Sequence, residues 1–134
     1  MNAKLELVRN WLTVAQHDLA ASRKLSTGPD PYLDVAIYHC QQTAEKTLKG
    51  YLVFHDQPFE KTHDIEVLVA LALRYETEFS GWLEAAVRLT PYATEFRYPS
   101  GLLEPSREEF EQALEAARGL YAFILSLLPP EVHP

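Results

Sequence analysis

The sequence predicts an all-α protein, a bundle of three long helices with two shorter ones across one end. Five segments place apolar residues at three- and four-residue steps, the spacing of one helix face. Proline and glycine clusters separate these segments, the last of them at residues 98–105. No alternating apolar and polar run supports a strand. A chain of 134 residues is expected to form one domain, residues 1–134, with its core at about 5–128.

Composition narrows the class of protein further. Hydrophobic residues make up 47% of the chain and charged residues 23%, which is typical of a globular protein and excludes a disordered tail or a fibre. The N-terminal residues lack the apolar stretch of an export signal, and a single cysteine predicts no disulfide, so a cytoplasmic location is expected. The net charge of −7 argues against a non-specific nucleic-acid coat protein but not against a local phosphate pocket.

The first helix is predicted at about residues 5–25 and carries apolar residues on two sides. The stripe expected to face the core consists of Leu5, Val8, Leu12, Ala15 and Leu19. The second stripe consists of Leu7, Trp11, Val14, Ala21 and Leu25. Two apolar sides need two partners, which are either neighbouring helices or, through Trp11, a second copy of the chain.

The second helix is predicted to start with Asp30 as N-cap and Pro31 in the first turn, and to continue to about residue 55. Its apolar stripe consists of Ile37, Ala44, Leu48 and Leu52. Gln41 lies within this stripe and Glu45 at its edge. Polar groups that face a core must find partners there, so these two positions predict a polar island inside the bundle.

Capping signals place the other three helices. Thr62 is predicted to cap a helix that begins with His63 and Asp64, and Ser80 to cap the next one. Ser106 and Glu109 form the capping-box pattern of the last helix, which the two prolines at 129 and 130 are expected to stop.

Few familiar catalytic or cofactor motifs occur in the sequence. The five glycines form no nucleotide-binding loop. A single Glu-x-x-His pattern, from Glu60 to His63, is too little for a di-iron bundle, so no metal site is predicted. Two polar features remain as candidates for a site. They are the second-helix run from Gln41 to Lys49 and the tetrapeptide Phe96-Arg97-Tyr98-Pro99.

Each of these features has a structural and a ligand-binding interpretation. Glu45 and Lys49 are four residues apart in the favourable order and can simply pair on the helix. Arg97 is the best candidate partner for Glu45, or for an anionic ligand, because its guanidinium presents a fixed fork of donors. Tyr98 or Phe96 could stack on a nucleotide base. The residues alone leave both interpretations open.

Three blocks of the sequence resemble the HEPN (higher eukaryotes and prokaryotes nucleotide-binding) domain family. They are Gln41-Gln42-Thr43-Ala44-Glu45-Lys46-Thr47-Leu48-Lys49, Lys61-Thr62-His63-Asp64-Ile65 and Phe96-Arg97-Tyr98-Pro99. Trp11, Ala15, Asp18 and Leu19 of the first helix fit the same pattern. The resemblance implies an up-and-down four-helix bundle with an additional short helix, usually a homodimer, and in bacteria and archaea often the partner of a minimal nucleotidyltransferase in a toxin–antitoxin-type pair.

The resemblance also implies the residues of a nucleotide site. It maps this site onto Gln41, Glu45, Lys49, His63 and Arg97. We expect Arg97, Lys49 and His63 to contact the phosphates of an ATP- or GTP-class ligand and Tyr98 or Phe96 to stack on its base, while Gln41 and Glu45 orient the cations from a second layer. No cofactor is implied. Some family members are metal-independent ribonucleases with an Arg followed by a His after four to six residues. That motif is absent after Arg97, so a non-catalytic module is expected. A ribonuclease toxin with an unusual pair such as Arg97 and His63, or a purely structural subunit, remain the alternatives.

Overall fold

Five α-helices and three short 3₁₀ turns form the described part of the chain. The computed structural model describes residues 1–99 and 101–134. The α-helices are α1 (Ala3–Leu25), α2 (Leu33–Phe54), α3 (Ile65–Ala72), α4 (Leu83–Leu89) and α5 (Arg107–Ser126). The 3₁₀ turns are Thr77–Trp82, Thr90–Ala93 and Pro130–Val132. These residues include no strand, which confirms the all-α prediction. Ser100, which belongs to the last predicted break, lies outside the described residues.

Helix α2 occupies the centre of the bundle. It packs against α1 along its length and also against α3, α5 and the 3₁₀ turn at residues 90–93. From position 40 to position 52 every residue except Lys46 is buried. The predicted apolar stripe of α2 is fully inaccessible to solvent, as expected for residues that share one face of a helix. The opposite face is buried as well, because α1 covers it, and Gly50 lets the Cβ of Trp11 approach closely.

Three predicted helix starts are wrong by a few residues. Helix α2 begins after Tyr32 rather than Asp30, since the Tyr32 N–H donates to the Leu25 carbonyl and ties this residue to the end of α1. Asp64, not Thr62, caps α3, and its carboxylate accepts from the N–H groups of the first turn. Ser80 lies inside the 3₁₀ turn that precedes α4, so it caps no α-helix. Tertiary contacts and competing caps decided these starts.

The capping prediction for α5 is half confirmed. The Ser106 hydroxyl accepts from the Glu109 N–H at 3.0 Å, as a capping box requires. The Glu109 carboxylate accepts a short hydrogen bond from the hydroxyl of Tyr92 instead of returning to the cap. This bond ties the start of α5 to the turn at residues 90–93. Burial raises the pKa of Tyr92, and the hydrogen bond to Glu109 raises it further.

The two apolar sides of α1 have different environments. The core-facing stripe is buried at Val8, Leu12, Ala15 and Leu19 and packed against the core at Leu5. On the second side Leu7 and Val14 are 47% and 44% exposed, and Trp11 is half-buried between them. These three residues and Asn10 line a shallow apolar depression of about 190 Å³, here named the Trp11 patch. Neighbouring helices therefore cover only part of the second stripe.

Among the described helices, none combines the length and the apolar character that crossing a membrane requires.

Candidate functional site

The predicted polar island exists, and it lies on α2. Gln41 is inaccessible to solvent and Glu45 and Lys49 are 4% and 6% exposed. Glu45 Oε2 accepts from Lys49 Nζ at 3.0 Å, and Glu45 Oε1 accepts from His63 Nδ1 at 2.8 Å. Gln41 Nε2 donates to Glu45 Oε1 and to the His63 carbonyl, while Gln42 Nε2 donates to Gln41 Oε1. These five residues form the glutamate cluster.

Glu45 stays ionised in this environment. Burial opposes the charged carboxylate, but hydrogen bonds from His63, Lys49 and Gln41 outweigh it and lower the pKa of Glu45 below its ordinary value of 4.5. A buried carboxylate with this many donors is satisfied within the protein. The cluster therefore holds the segment before α3 against α2, since His63 belongs to the connection between the two helices.

Lys49 and His63 differ sharply in their access to a ligand. The Lys49 ammonium lies over the rings of Trp11 and Phe59, 5.9 Å and 5.8 Å from their centroids, and its positive charge is paired with Glu45. Because the Lys49 side chain is 8% exposed, a phosphate in solution has little access to its ammonium. The His63 side chain is 71% exposed, with Nδ1 bound to Glu45. His63 is thus the member of the glutamate cluster that a ligand in solution can contact.

Arg97 does not pair with Glu45, so that expectation is wrong. The Arg97 side chain is exposed, and its guanidinium carbon lies 3.9 Å from the ring centroid of Tyr38, one turn before Gln41 on α2. The physical reason is that two other side chains already satisfy the Glu45 carboxylate. Lys49 lies four residues further along α2, and His63 lies in the connection between α2 and α3. A guanidinium stacks well on an aromatic face and keeps its N–H groups available to solvent.

The two aromatic residues beside Arg97, Phe96 and Tyr98, have different surroundings. Phe96 has a φ of 66°, in the left-handed region, and its ring stacks on Tyr92 at a centroid distance of 6.2 Å. Tyr98 is 69% exposed. Phe96, Tyr98 and Leu102 line, together with Thr94 and Glu95, a surface pocket of about 480 Å³. The segment that carries Arg97 therefore also presents an aromatic-lined pocket.

A second polar cluster joins α1 to α2, and the sequence interpretation missed it. Asp18 of α1 is 8% exposed and accepts two hydrogen bonds of 2.7 Å, one from His39 Nδ1 and one from Lys46 Nζ. These three residues form the aspartate cluster. The sequence did offer a signal: Asp18 stands next to Leu19 of the apolar stripe of α1. A carboxylate in this position needs a cation or hydrogen-bond donor from another helix. His39 also contacts the ring of Tyr38 edge-on, at a centroid distance of 5.6 Å.

No group of three or more histidine, cysteine or acidic side chains in the described part of the chain could hold a metal ion. Cys40 is buried beside these clusters, and burial raises the pKa of its thiol to about 12, so it stays protonated at neutral pH.

Comparison with known proteins identifies a matching family and two similar structures. The family model of the HEPN domain matches residues 8–127. The protein TT1696 from Thermus thermophilus superposes with a TM-score of 0.75 and 29% identity, over 90% of this chain and 98% of that one. ST0689, an archaeal HEPN homologue, gives a TM-score of 0.69 with 24% identity, over 90% of this chain and 96% of that one, and supports the fold alone. No curated protein sequence matches significantly.

Proposed function

From the premise that the chain belongs to the HEPN domain family, we propose that it is a nucleotide-binding interaction module and the partner of a minimal nucleotidyltransferase. In this proposal Arg97 binds the phosphates of an ATP- or GTP-class nucleotide, and neither a metal nor another cofactor takes part. The observation that carries it is the exposed Arg97 guanidinium on the ring of Tyr38. An arginine held in this way loses little side-chain freedom when it binds a phosphate.

The surroundings of Arg97 support a nucleotide rather than a simple anion. Tyr98 and Phe96 line a pocket of about 480 Å³ in the same segment, and their rings offer a face on which a base can stack. His63 is exposed and lies at the level of Glu45, about two helical turns from Tyr38 along α2. We infer that it contacts the far end of an elongated ligand. Gln41 and Glu45 act through His63, because they hold its carbonyl and its ring.

Lys49 receives a different role from the one its charge suggested. Because it is buried and paired with Glu45, we propose that it keeps the Glu45 carboxylate ionised and in place instead of binding phosphate. The phosphate contacts then belong to Arg97 and His63.

Titration calorimetry with ATP, GTP, ADP and GDP tests the nucleotide proposal. The unmodified chain is expected to bind at least one of them, and Arg97→Ala to weaken that affinity at least tenfold. Arg88→Ala, an exposed arginine of α4, is the matched control and should bind normally. Absence of binding to all four nucleotides, or equal binding by Arg97→Ala, would contradict the proposal and favour a purely structural subunit.

The ribonuclease alternative finds less support. It requires Arg97 and His63 to act together, but Arg97 stacks on Tyr38 and His63 binds Glu45. Tyr38 and Glu45, the α2 residues that these two side chains contact, are about 10 Å apart along the helix axis. Incubation of the purified protein with RNA, beside Arg97→Ala, separates the alternatives, since RNA cleavage that the substitution abolishes would favour the enzyme.

HEPN domains often act as dimers, and we propose that the Trp11 patch is the homodimer interface. Its exposed Leu7 and Val14 flank a half-buried tryptophan, the residue type enriched at interface centres. Val14→Glu is expected to convert a dimer into a monomer in analytical ultracentrifugation. Val87→Glu places the same charge on an exposed valine of α4 and should leave the dimer intact. A Val14→Glu protein that stays dimeric would exclude this patch.

The partner proposal has a separate test. If the neighbouring open reading frame encodes a small nucleotidyltransferase, co-expression of the two proteins should yield a complex that stays together during gel filtration. Two proteins that elute separately at micromolar concentration would contradict the partnership.

A further inference from the structure

We propose that His39 is a phosphate-binding residue of the Arg97 site and that Asp18 is its positioning residue. This inference rests on the proposed function, because it assigns a further contact to the same nucleotide. It follows from four observations, which concern the shared ring of Tyr38, the hydrogen bonds of Asp18, the second ring nitrogen of the partly exposed His39 and the burial of Lys49.

The ring of Tyr38 brings Arg97 and His39 to one place. The guanidinium carbon of Arg97 lies 3.9 Å from the centroid of this ring, and the imidazole of His39 meets the same ring edge-on at 5.6 Å. Arg97 arrives from the segment after residue 93, whereas His39 belongs to α2 itself. A guanidinium and an imidazole therefore border one phenol ring.

Asp18 fixes the orientation of His39. Its Oδ1 accepts from His39 Nδ1 at 2.7 Å, while its Oδ2 accepts from Lys46 Nζ at the same distance. The Asp18 side chain is 10% exposed and the His39 side chain 26%. Since Nδ1 is engaged with the carboxylate, Nε2 is the ring nitrogen left for a ligand. It accepts or donates no hydrogen bond within residues 1–99 and 101–134.

Phosphate binding at Nε2 requires the doubly protonated imidazole, because a neutral ring with its proton on Nδ1 presents only a lone pair there. The charged and titratable groups that face His39 are Asp18 and Lys46 of the aspartate cluster, with Arg97 and the Tyr38 phenol at its other side. A bound phosphate, being an anion, favours the protonated ring. Binding is therefore expected to take up a proton from solution.

The other cation that the family resemblance assigned to the ligand is less suitable for this position. Lys49 is buried and neutralised by Glu45, and it lies three turns beyond Tyr38 on α2. His39 contacts the Tyr38 ring on which Arg97 stacks, is partly exposed and is oriented by the buried carboxylate of Asp18.

Calorimetric titration of inorganic pyrophosphate, in two buffers of different ionisation enthalpy at one pH, tests the inference. The unmodified chain is expected to bind pyrophosphate with uptake of a proton. His39→Gln should weaken the affinity at least tenfold and abolish the uptake, and Asp18→Asn should reduce both. His17→Gln, an exposed histidine of α1, is the matched control and should behave like the unmodified chain. Thermal unfolding of each variant checks that it is folded.

The outcomes separate this inference from the proposed function. If pyrophosphate does not bind, or if His39→Gln binds it with the same affinity and proton uptake, the inference is wrong. If a nucleotide binds through Arg97 and His39→Gln has no effect on it, the nucleotide proposal stands and the role of His39 is wrong. If His39 is required for pyrophosphate while no nucleotide binds, the anion site stands and the nucleotide proposal is wrong.

Discussion

The guanidinium of Arg97 lies on the ring of Tyr38, 3.9 Å from its centroid, and Glu45 is left to Lys49 and His63. The polar island of α2 thus has a closed inner part, in which every charge is paired, and an outer edge at Tyr38, where a cation faces solvent. Glu45 and Lys49 are buried and stabilise the fold, whereas Arg97 and the exposed side of His63 are available to a ligand, so the two roles can be tested separately.

The Arg97–Tyr38 contact should appear as a small coupling energy. Cation–π pairs at exposed sites contribute about 0.5–1 kcal/mol, and we expect this value from a double-mutant cycle of Arg97→Ala and Tyr38→Leu. Urea denaturation of the four proteins measures it. A coupling of zero would mean that the stacked arrangement is not populated in solution.

The Lys49–Glu45 pair should be costly to break from one side. Lys49→Met leaves the Glu45 carboxylate buried with one donor fewer, and we expect a loss of about 3 kcal/mol in the free energy of unfolding. Arg118→Met removes one partner of the exposed Glu115–Arg118 pair and should produce no measurable change. Similar denaturant midpoints for the two variants would show that Lys49 is solvated rather than buried.

Glu45 should make the protein sensitive to acid. Its pKa is lowered in the folded state, so the stability it contributes is fully present above its ordinary pKa of 4.5 and is lost as the pH falls through the lower folded value. Between about pH 5 and pH 3 the unmodified chain should therefore lose stability more steeply than Glu45→Gln. Urea midpoints measured across this range give the two slopes. Parallel curves would contradict the assignment of Glu45 as an ionised buried group.

Gly50 should not tolerate a methyl group. A Cβ at this position would lie 3.1 Å from the Cβ of Trp11, an atom fixed to the backbone of α1, so the two helices would have to separate. We expect Gly50→Ala to lower the free energy of unfolding by about 1 kcal/mol, because overpacking outweighs the gain in helix propensity. Gly81 has open space around it, and Gly81→Ala is the control that should not destabilise. A more stable Gly50→Ala protein would show that α1 can shift without cost.

Much of the fold could be predicted from the sequence because helical periodicity is a local property. The α2 stripe of Ile37, Ala44, Leu48 and Leu52 is fully buried as predicted, and Gln41 and Glu45 are buried with it. The position of Ser106 as N-cap of α5 is likewise confirmed. Helix starts were less predictable, since Tyr32 and Asp64 competed with Asp30 and Thr62 for the same helix ends.

By itself the sequence determined that this protein is an all-α bundle with a polar island on its second helix, because burial of an apolar stripe and the spacing of polar residues on it follow from 3.6 residues per turn. Only the tertiary structure decided which charges meet. Asp18 finds His39 and Lys46 across 21 and 28 residues, and Arg97 finds Tyr38 rather than Glu45. Such pairings depend on how the helices pack. The spacing of residues along one helix does not encode the distance between side chains that belong to two different segments.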